Sequence, residues 1–216
     1  MSTSKRFLPG DWIGFSSWSL RPPLGVAINL FTWGVPFWGL SHIAVVTRHP
    51  DHPWPLLFEA TTRVDEPCVV QGYRMDGAQY HKIERRIATY RGLVWHYPLA
   101  LPLCPGEVRR LAEFCDGLKG RSYDAIGAVG ARDTLSGRLA RRGVPEDLTS
   151  LFCSEVAVAC DKISCRAPLE EVSSVYSPNR ATRRAVWWWR SHLRPTWVKR
   201  WPCPYRKESR DAPVPA

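Results

Sequence analysis

Short apolar runs alternate with turn residues along the first hundred positions. Pro9-Gly10-Asp11 is a turn signal, and the apolar run behind it predicts a strand starting at Trp12 and Ile13. Residues 42–47 (HIAVVT) are β-branched and apolar, the composition of a buried strand. Residues 48–53 (RHPDHP) carry loop chemistry, and 56–62 (LLFEATT) predict the next strand. Strand-like pieces follow at 68–71, 82–88 and 93–99. A helical pattern then takes over at 105–119, with Pro105 in the first turn and Gly120 as the stop. Residues 123–130 and 152–162 predict further helices, joined by a polar, basic connection over 132–143. Residues 24–38 are apolar on nearly every side. They predict either a short buried helix running into a Gly/Pro loop or an exposed apolar loop that meets substrate or lipid. Strands come first and helices later, which predicts an α+β fold built on an antiparallel sheet.

Composition adds bounds. A chain of 216 residues with 44% hydrophobic content is long and apolar enough for one globular domain with a sizeable core. Seven cysteines cannot all pair within one chain, and their spacing contains neither CxxC nor a zinc-ribbon pattern, so no metal or other cofactor is expected. The N-terminus lacks the apolar run of a signal peptide, and no stretch reaches the roughly 18 apolar residues of a spanning helix. The expectation is therefore reduced thiols and a cytoplasmic protein.

Charge divides the chain. Nine basic residues and no acidic one lie between Arg180 and Lys207, so most of the net +10 belongs to that end. The same end holds five of the eleven tryptophans. Two parts follow: a domain over 1–180, and a basic, Trp-rich extension over 181–216 whose last residues are expected to be disordered. Trp with Arg and Lys over 181–207 suits an anionic membrane surface, which would make the protein peripheral to a membrane. Nucleic acid is the second candidate partner, and tryptophans packed back onto the domain with cations facing water are the third reading.

The chemistry centres on LFCSEVAVAC, residues 151–160, where two cysteines lie seven residues apart on one predicted helix. Free cysteines on apolar helices are commonly packing residues. A thiol in a helix's first turn differs, because unpaired amides and the helix dipole favour the thiolate. With Thr149 and Ser150 as candidate caps, Cys153 falls in that turn and Cys160 two turns later. Nucleophilic catalysis also needs a base, and the base needs an orienting partner. In an antiparallel hairpin paired residues share one index sum. His42 and Glu59 sum to 101, which centres the turn between Pro50 and Asp51, so the two can share a face unless the register slips by one. His49, His52, His81, His96 and His192 lie in loops, polar stretches or the basic end, with His96 the other strand candidate.

Together these pieces resemble the NlpC/P60 superfamily of papain-like cysteine hydrolases in its circularly permuted branch, the YiiX/YaeF-like proteins related to lecithin:retinol acyltransferase. Pro9-Gly10-Asp11-Trp12-Ile13 is similar to the family's PGD strand, Ser41-His42-Ile43-Ala44-Val45-Val46 to its His strand, and Phe58-Glu59-Ala60 to the strand of the third residue. Phe152-Cys153-Ser154-Glu155 resembles the nucleophile helix, placed last as in permuted members. The resemblance implies a papain-like antiparallel sheet or partial barrel packed against helices, with the nucleophile helix C-terminal to the His strand. It implies Cys153 as nucleophile, His42 as acid and base, Glu59 as the residue orienting His42, and a substrate-side role for Tyr123. The implied activity is cleavage of a peptidoglycan-type peptide or other amide. A thiol acyltransferase or lipid hydrolase with the same triad stays open, as does an inactive membrane- or nucleic-acid-associated binding module.

Overall fold

The computed structural model describes residues 7–16, 40–62, 66–90, 92–124, 149–167 and 176–185, with residues 169 and 173. The apolar run over 24–38, the connection over 132–143 and the extension from 186 onward lie outside the described residues. Strands β1 (Trp12–Ser16), β2 (His42–His49), β3 (His52–Thr61), β4 (Gly77–His81) and β5 (Leu93–Tyr97) form one antiparallel sheet in the order β4-β3-β2-β1-β5. Helix α1 (Ile83–Thr89) lies between β4 and β5 in the chain. Helices α2 (Pro105–Leu118), α3 (Cys153–Ile163) and α4 (Pro178–Arg183) follow. Strands β6 (Ser122–Tyr123) and β7 (Ser150–Leu151) make a short parallel pair that leads into α3. Among the described residues this is a mixed α+β fold, and no helix is long and apolar enough to cross a membrane.

Strand alternation sorts the core into two layers. Val45, Phe58, Tyr80 and Trp12 pack with Leu111, Cys115 and Leu118 of α2 and with Val156, Ala157 and Cys160 of α3. Ile13, Phe15, Ala44, Val46, Leu57 and Val94, from the other face, pack with Ile83, Ile87 and Tyr90. The sheet is thus buried on both faces, which is why β2 and β3 read as continuous apolar runs.

Several elements depart from the sequence expectations. The strand expected over 82–88 is, from Ile83 on, a helix, because Ile83 and Ile87 stand one turn apart and bury one face against the sheet. Residues 68–71 are a turn closed by Gly72 N–H to Cys68 O at 2.8 Å, not a strand. The strand in that region is β4, whose first residue, Gly77, has φ +107 and passes so close to Arg121 O that a Cβ would lie 1.9 Å from it. Tyr123 sits in β6 rather than opening a helix. Ser150 belongs to β7, and the cap position of α3 expected at Thr149 or Ser150 falls on Phe152.

The hairpin register is also instructive. At its tip His49 pairs with His52, the index sum of 101 read from the sequence, but from Thr47↔Leu56 onward the sum is 103. The extra residues lie on β3, where Pro53 and Pro55 have no N–H to give to a ladder. A shift of two preserves the face, so His42 and Glu59 remain on one side of the sheet.

Candidate active site

Glu59 is fully buried near the end of β3. Its carboxylate meets three side chains. His42 Nε2 lies 2.5 Å from Oε2; the ionised carboxylate has no proton to give, so the imidazole N–H donates. Arg86 of α1 donates from Nε to Oε1 at 2.5 Å and from Nη2 to Oε2 at 3.1 Å. His81 Nε2 stands 3.5 Å from Oε1. Burial alone would raise the Glu59 pKa, yet the Arg86 charge, the His42 hydrogen bond and the nearby imidazoles hold it well below the usual carboxylate range. Arg86 is itself covered, its guanidinium 4.8 Å from the Phe15 ring centre and 5.6 Å from that of Tyr90. The Phe15 ring also packs at 5.5 Å from the His42 ring, which limits the imidazole's freedom to turn.

The other side of His42 faces Cys153. Burial would lower the His42 pKa, but the charge of a Cys153 thiolate, the hydrogen bond between the two side chains and the hydrogen bond and charge of Glu59 raise it to about 9. His42 therefore sits between a thiol and a carboxylate and favours its charged form at neutral pH. Its side chain keeps 13% of its surface exposed, whereas Cys153 is 2% exposed.

Cys153 is the first residue of α3. The backbone N–H of Phe152 before it is received by the Glu155 carboxylate at 3.5 Å, a long and weak half of a capping box. A residue at this position has an N–H without an intrahelical acceptor, and it stands in the strongest part of the helix field. Cys160, two turns on, is buried with its sulfur 3.7 Å from Cys115 Sγ, and burial with that contact raises its pKa. Cys153 thus stands in the first turn of α3 and Cys160 two turns further on.

Tyr123 pairs with Leu151, two residues before Cys153, and Asp124 N–H donates to Leu151 O at 2.8 Å. The Tyr123 hydroxyl is pushed up by burial and by the charges of Cys153 and Asp124, so the phenol is neutral. Cys153, His42 and Glu59 are thus brought together from three separate elements, and Tyr123 is tied to the strand that leads into Cys153. Arg86 was absent from the sequence reading, because a strand over 82–88 hides the four-residue spacing that aims it at Glu59.

Three other histidines correct the expectation that only His42 has a carboxylate setting. His49 is buried with Nε2 3.4 Å from Asp116 Oδ1 and Nδ1 3.7 Å from Asp51 Oδ2. His81 is buried beside Glu59, and its burial lowers its pKa. His96 on β5 lies 2.8 Å from Asp11 Oδ2. Asp11 also accepts from Leu8 N–H and Leu99 N–H, each at 2.9 Å, so the Pro9-Gly10-Asp11 turn bolts the start of β1 to the end of β5. Among the described residues no group of three or more His, Cys, Asp or Glu is arranged to hold a metal ion.

No family model matches the chain, and no curated protein matches it. A solved structure to which it is similar is that of the metalloprotein YiiX (DUF1105) from Escherichia coli O157:H7, at 17% identity and a TM-score of 0.48, covering 76% of this chain and 70% of that one. That likeness assigns no role to any residue here.

Proposed function

We propose that this chain is a papain-like cysteine hydrolase of the circularly permuted NlpC/P60 type that cleaves an amide by acyl transfer through Cys153. The observation that carries the reading is His42 held between Cys153 and the buried Glu59 carboxylate, 2.5 Å away, in a form that favours the imidazolium. The Cys153 thiolate attacks the carbonyl carbon, and the imidazolium gives its proton to the departing amine nitrogen. Neutral His42 then takes a proton from water as that water attacks the thioester. Collapse releases the acid and restores the thiolate and imidazolium. Glu59 keeps the imidazole in the tautomer that faces the thiol and stabilises its charge. The Cys153 backbone N–H offers one oxyanion donor, an interaction worth about 3 kcal/mol.

The first test is labelling of the folded protein with iodoacetamide near pH 6, mapped by mass spectrometry. A thiol with an ordinary pKa of about 8.5 hardly reacts there. The expected result is selective modification of Cys153 that disappears in His42→Ala, with Cys160 untouched. Slow labelling, or labelling spread over several cysteines, overturns the reading.

A further inference from the structure

A second set of contacts, made through residues 176–179, connects the nucleophile helix to the base strand. Leu40 is where the chain enters β2, two residues before His42. The β1–β2 pairing ends at Phe15↔His42, and beyond it Ser41 N–H and Ser41 Oγ both reach back to Phe15 O, at 2.9 and 3.2 Å. Leu40 N–H instead donates to Asn179 Oδ1 at 2.7 Å, and Asn179 Nδ2 donates to Leu40 O at 3.0 Å. The carboxamide meets both main-chain groups of one residue, as a neighbouring strand would. Only a carboxamide side chain carries a donor and an acceptor side by side for this.

Three residues before Asn179, the Tyr176 carbonyl accepts from Ser154 Oγ at 2.6 Å, in a buried contact next to Cys153. The short piece between the two contacts is stiff. Ser177 caps α4 by accepting from Arg180 N–H at 3.3 Å, and Pro178 occupies the first helical position. The Arg180 guanidinium lies 4.8 Å from the centre of the Tyr176 ring. Residues 176–179 therefore hold the residue after the nucleophile with one end and the entry to the base strand with the other.

We infer that Asn179 is a positioning residue for the site: by pairing with the Leu40 backbone it sets where His42 stands relative to Cys153. The inference rests on the reading of Cys153 and His42 as a working pair. The carboxamide holds both the N–H and the C=O of Leu40, two residues before His42, and a small displacement of a catalytic group costs up to about a hundredfold in rate.

The test compares wild type, Asn179→Ala and Asn179→Asp by iodoacetamide labelling of Cys153 near pH 6 and by NMR titration of the His42 ring, with circular dichroism as the check of folding. Asn179→Asp keeps the size and the acceptor for Leu40 N–H but sets an oxygen against Leu40 O, so it remains informative should the alanine variant fail to fold. The expected result is a folded variant in which Cys153 labels about ten- to a hundredfold more slowly and the His42 midpoint falls. A folded variant with wild-type labelling and an unmoved His42 midpoint overturns the inference and leaves the proposed function standing. A wild-type His42 midpoint that does not respond to Cys153→Ala overturns the proposed function, and the inference with it. A merely structural role for Asn179 would lower stability while leaving the His42 midpoint in place, and that result also counts against the inference.

Discussion

A carboxylate sealed from water is tolerable only where its charge is met, and Glu59 is met by His42 on one side and Arg86 on the other. The neighbours act in one direction on the imidazole. Glu59 and a Cys153 thiolate favour a proton on His42, while Arg86 holds the carboxylate ionised so that it accepts rather than takes that proton. The ring of His42 is thus expected to titrate near 9 in the wild type, well above the ordinary value of 6.5. Removing a negative neighbour removes a reason for the proton to stay, so both Cys153→Ala and Glu59→Gln shift the midpoint down. The larger drop belongs to Cys153→Ala, because the thiolate charge and its hydrogen bond outweigh those of Glu59. NMR of the imidazole resonances against pH checks this directly. A wild-type midpoint near 6.5 would remove the electrostatic basis of the site.

At the scale of elements, the sequence was most legible where burial is complete on both sides. β2, β3, β5, α2 and α3 announce themselves by long apolar or periodic stretches, and so His42, Glu59 and Cys153 could be chosen from the chain alone. Legibility failed where tertiary contacts override short patterns. Helix α1 is only seven residues long and carries Ile at both its first and fifth positions, which reads as β-branched strand until the four-residue spacing is noticed. That misreading concealed Arg86. The two-residue shift in the hairpin was hidden because the proline positions that cause it lie in β3's own exposed start, around Trp54. The Pro9-Gly10-Asp11 turn was legible as a turn, but its work was not, since Leu99 and His96 lie far along the chain. Asp11 receives three hydrogen bonds there, and a bond to a charged group is worth about 1.5–3 kcal/mol. Asp11→Ala is therefore expected to lower the unfolding free energy by on the order of 3 kcal/mol in urea. Under conditions where the variant is folded, Cys153 should still label selectively at pH 6. Loss of labelling in a stably folded Asp11→Ala would mean that this turn serves the chemistry and not only the β1–β5 seam.

For the whole molecule, the carboxylates set how the fold responds to acid. Glu59 is held well below its ordinary value, and the more exposed Glu107 and Asp116 are lowered too; burial opposes the shift at Glu107, but the Cys104 hydrogen bonds and the Arg166 and Arg110 charges together outweigh it, and Lys119 leads at Asp116. Below an ordinary carboxylate pKa the unfolded chain binds protons that the folded one does not, so stability falls as pH falls through the folded values. Glu59 carries the largest share because it is buried and bonded to a buried guanidinium. Glu59→Gln leaves Arg86 without its countercharge, and loss of one partner of a buried pair costs about 3–5 kcal/mol at neutral pH. In acid the comparison changes. A protonated Glu59 is close in shape and charge to Gln, so the wild type comes to resemble its own variant. The stability gap between the two is therefore expected to be widest near pH 7 and to narrow steadily toward pH 3. His81, lowered by burial with the Glu59 charge opposing that shift, also weakens the fold as pH drops below its ordinary value of 6.5. His42 is protonated in folded and unfolded chains below that pH, so it adds no slope there. Urea midpoints of wild type and Glu59→Gln between pH 3 and 7 read the difference. Parallel curves would mean that Glu59 is not ionised in the folded protein, and neither the Arg86 pair nor the orientation of His42 by a carboxylate would survive that result.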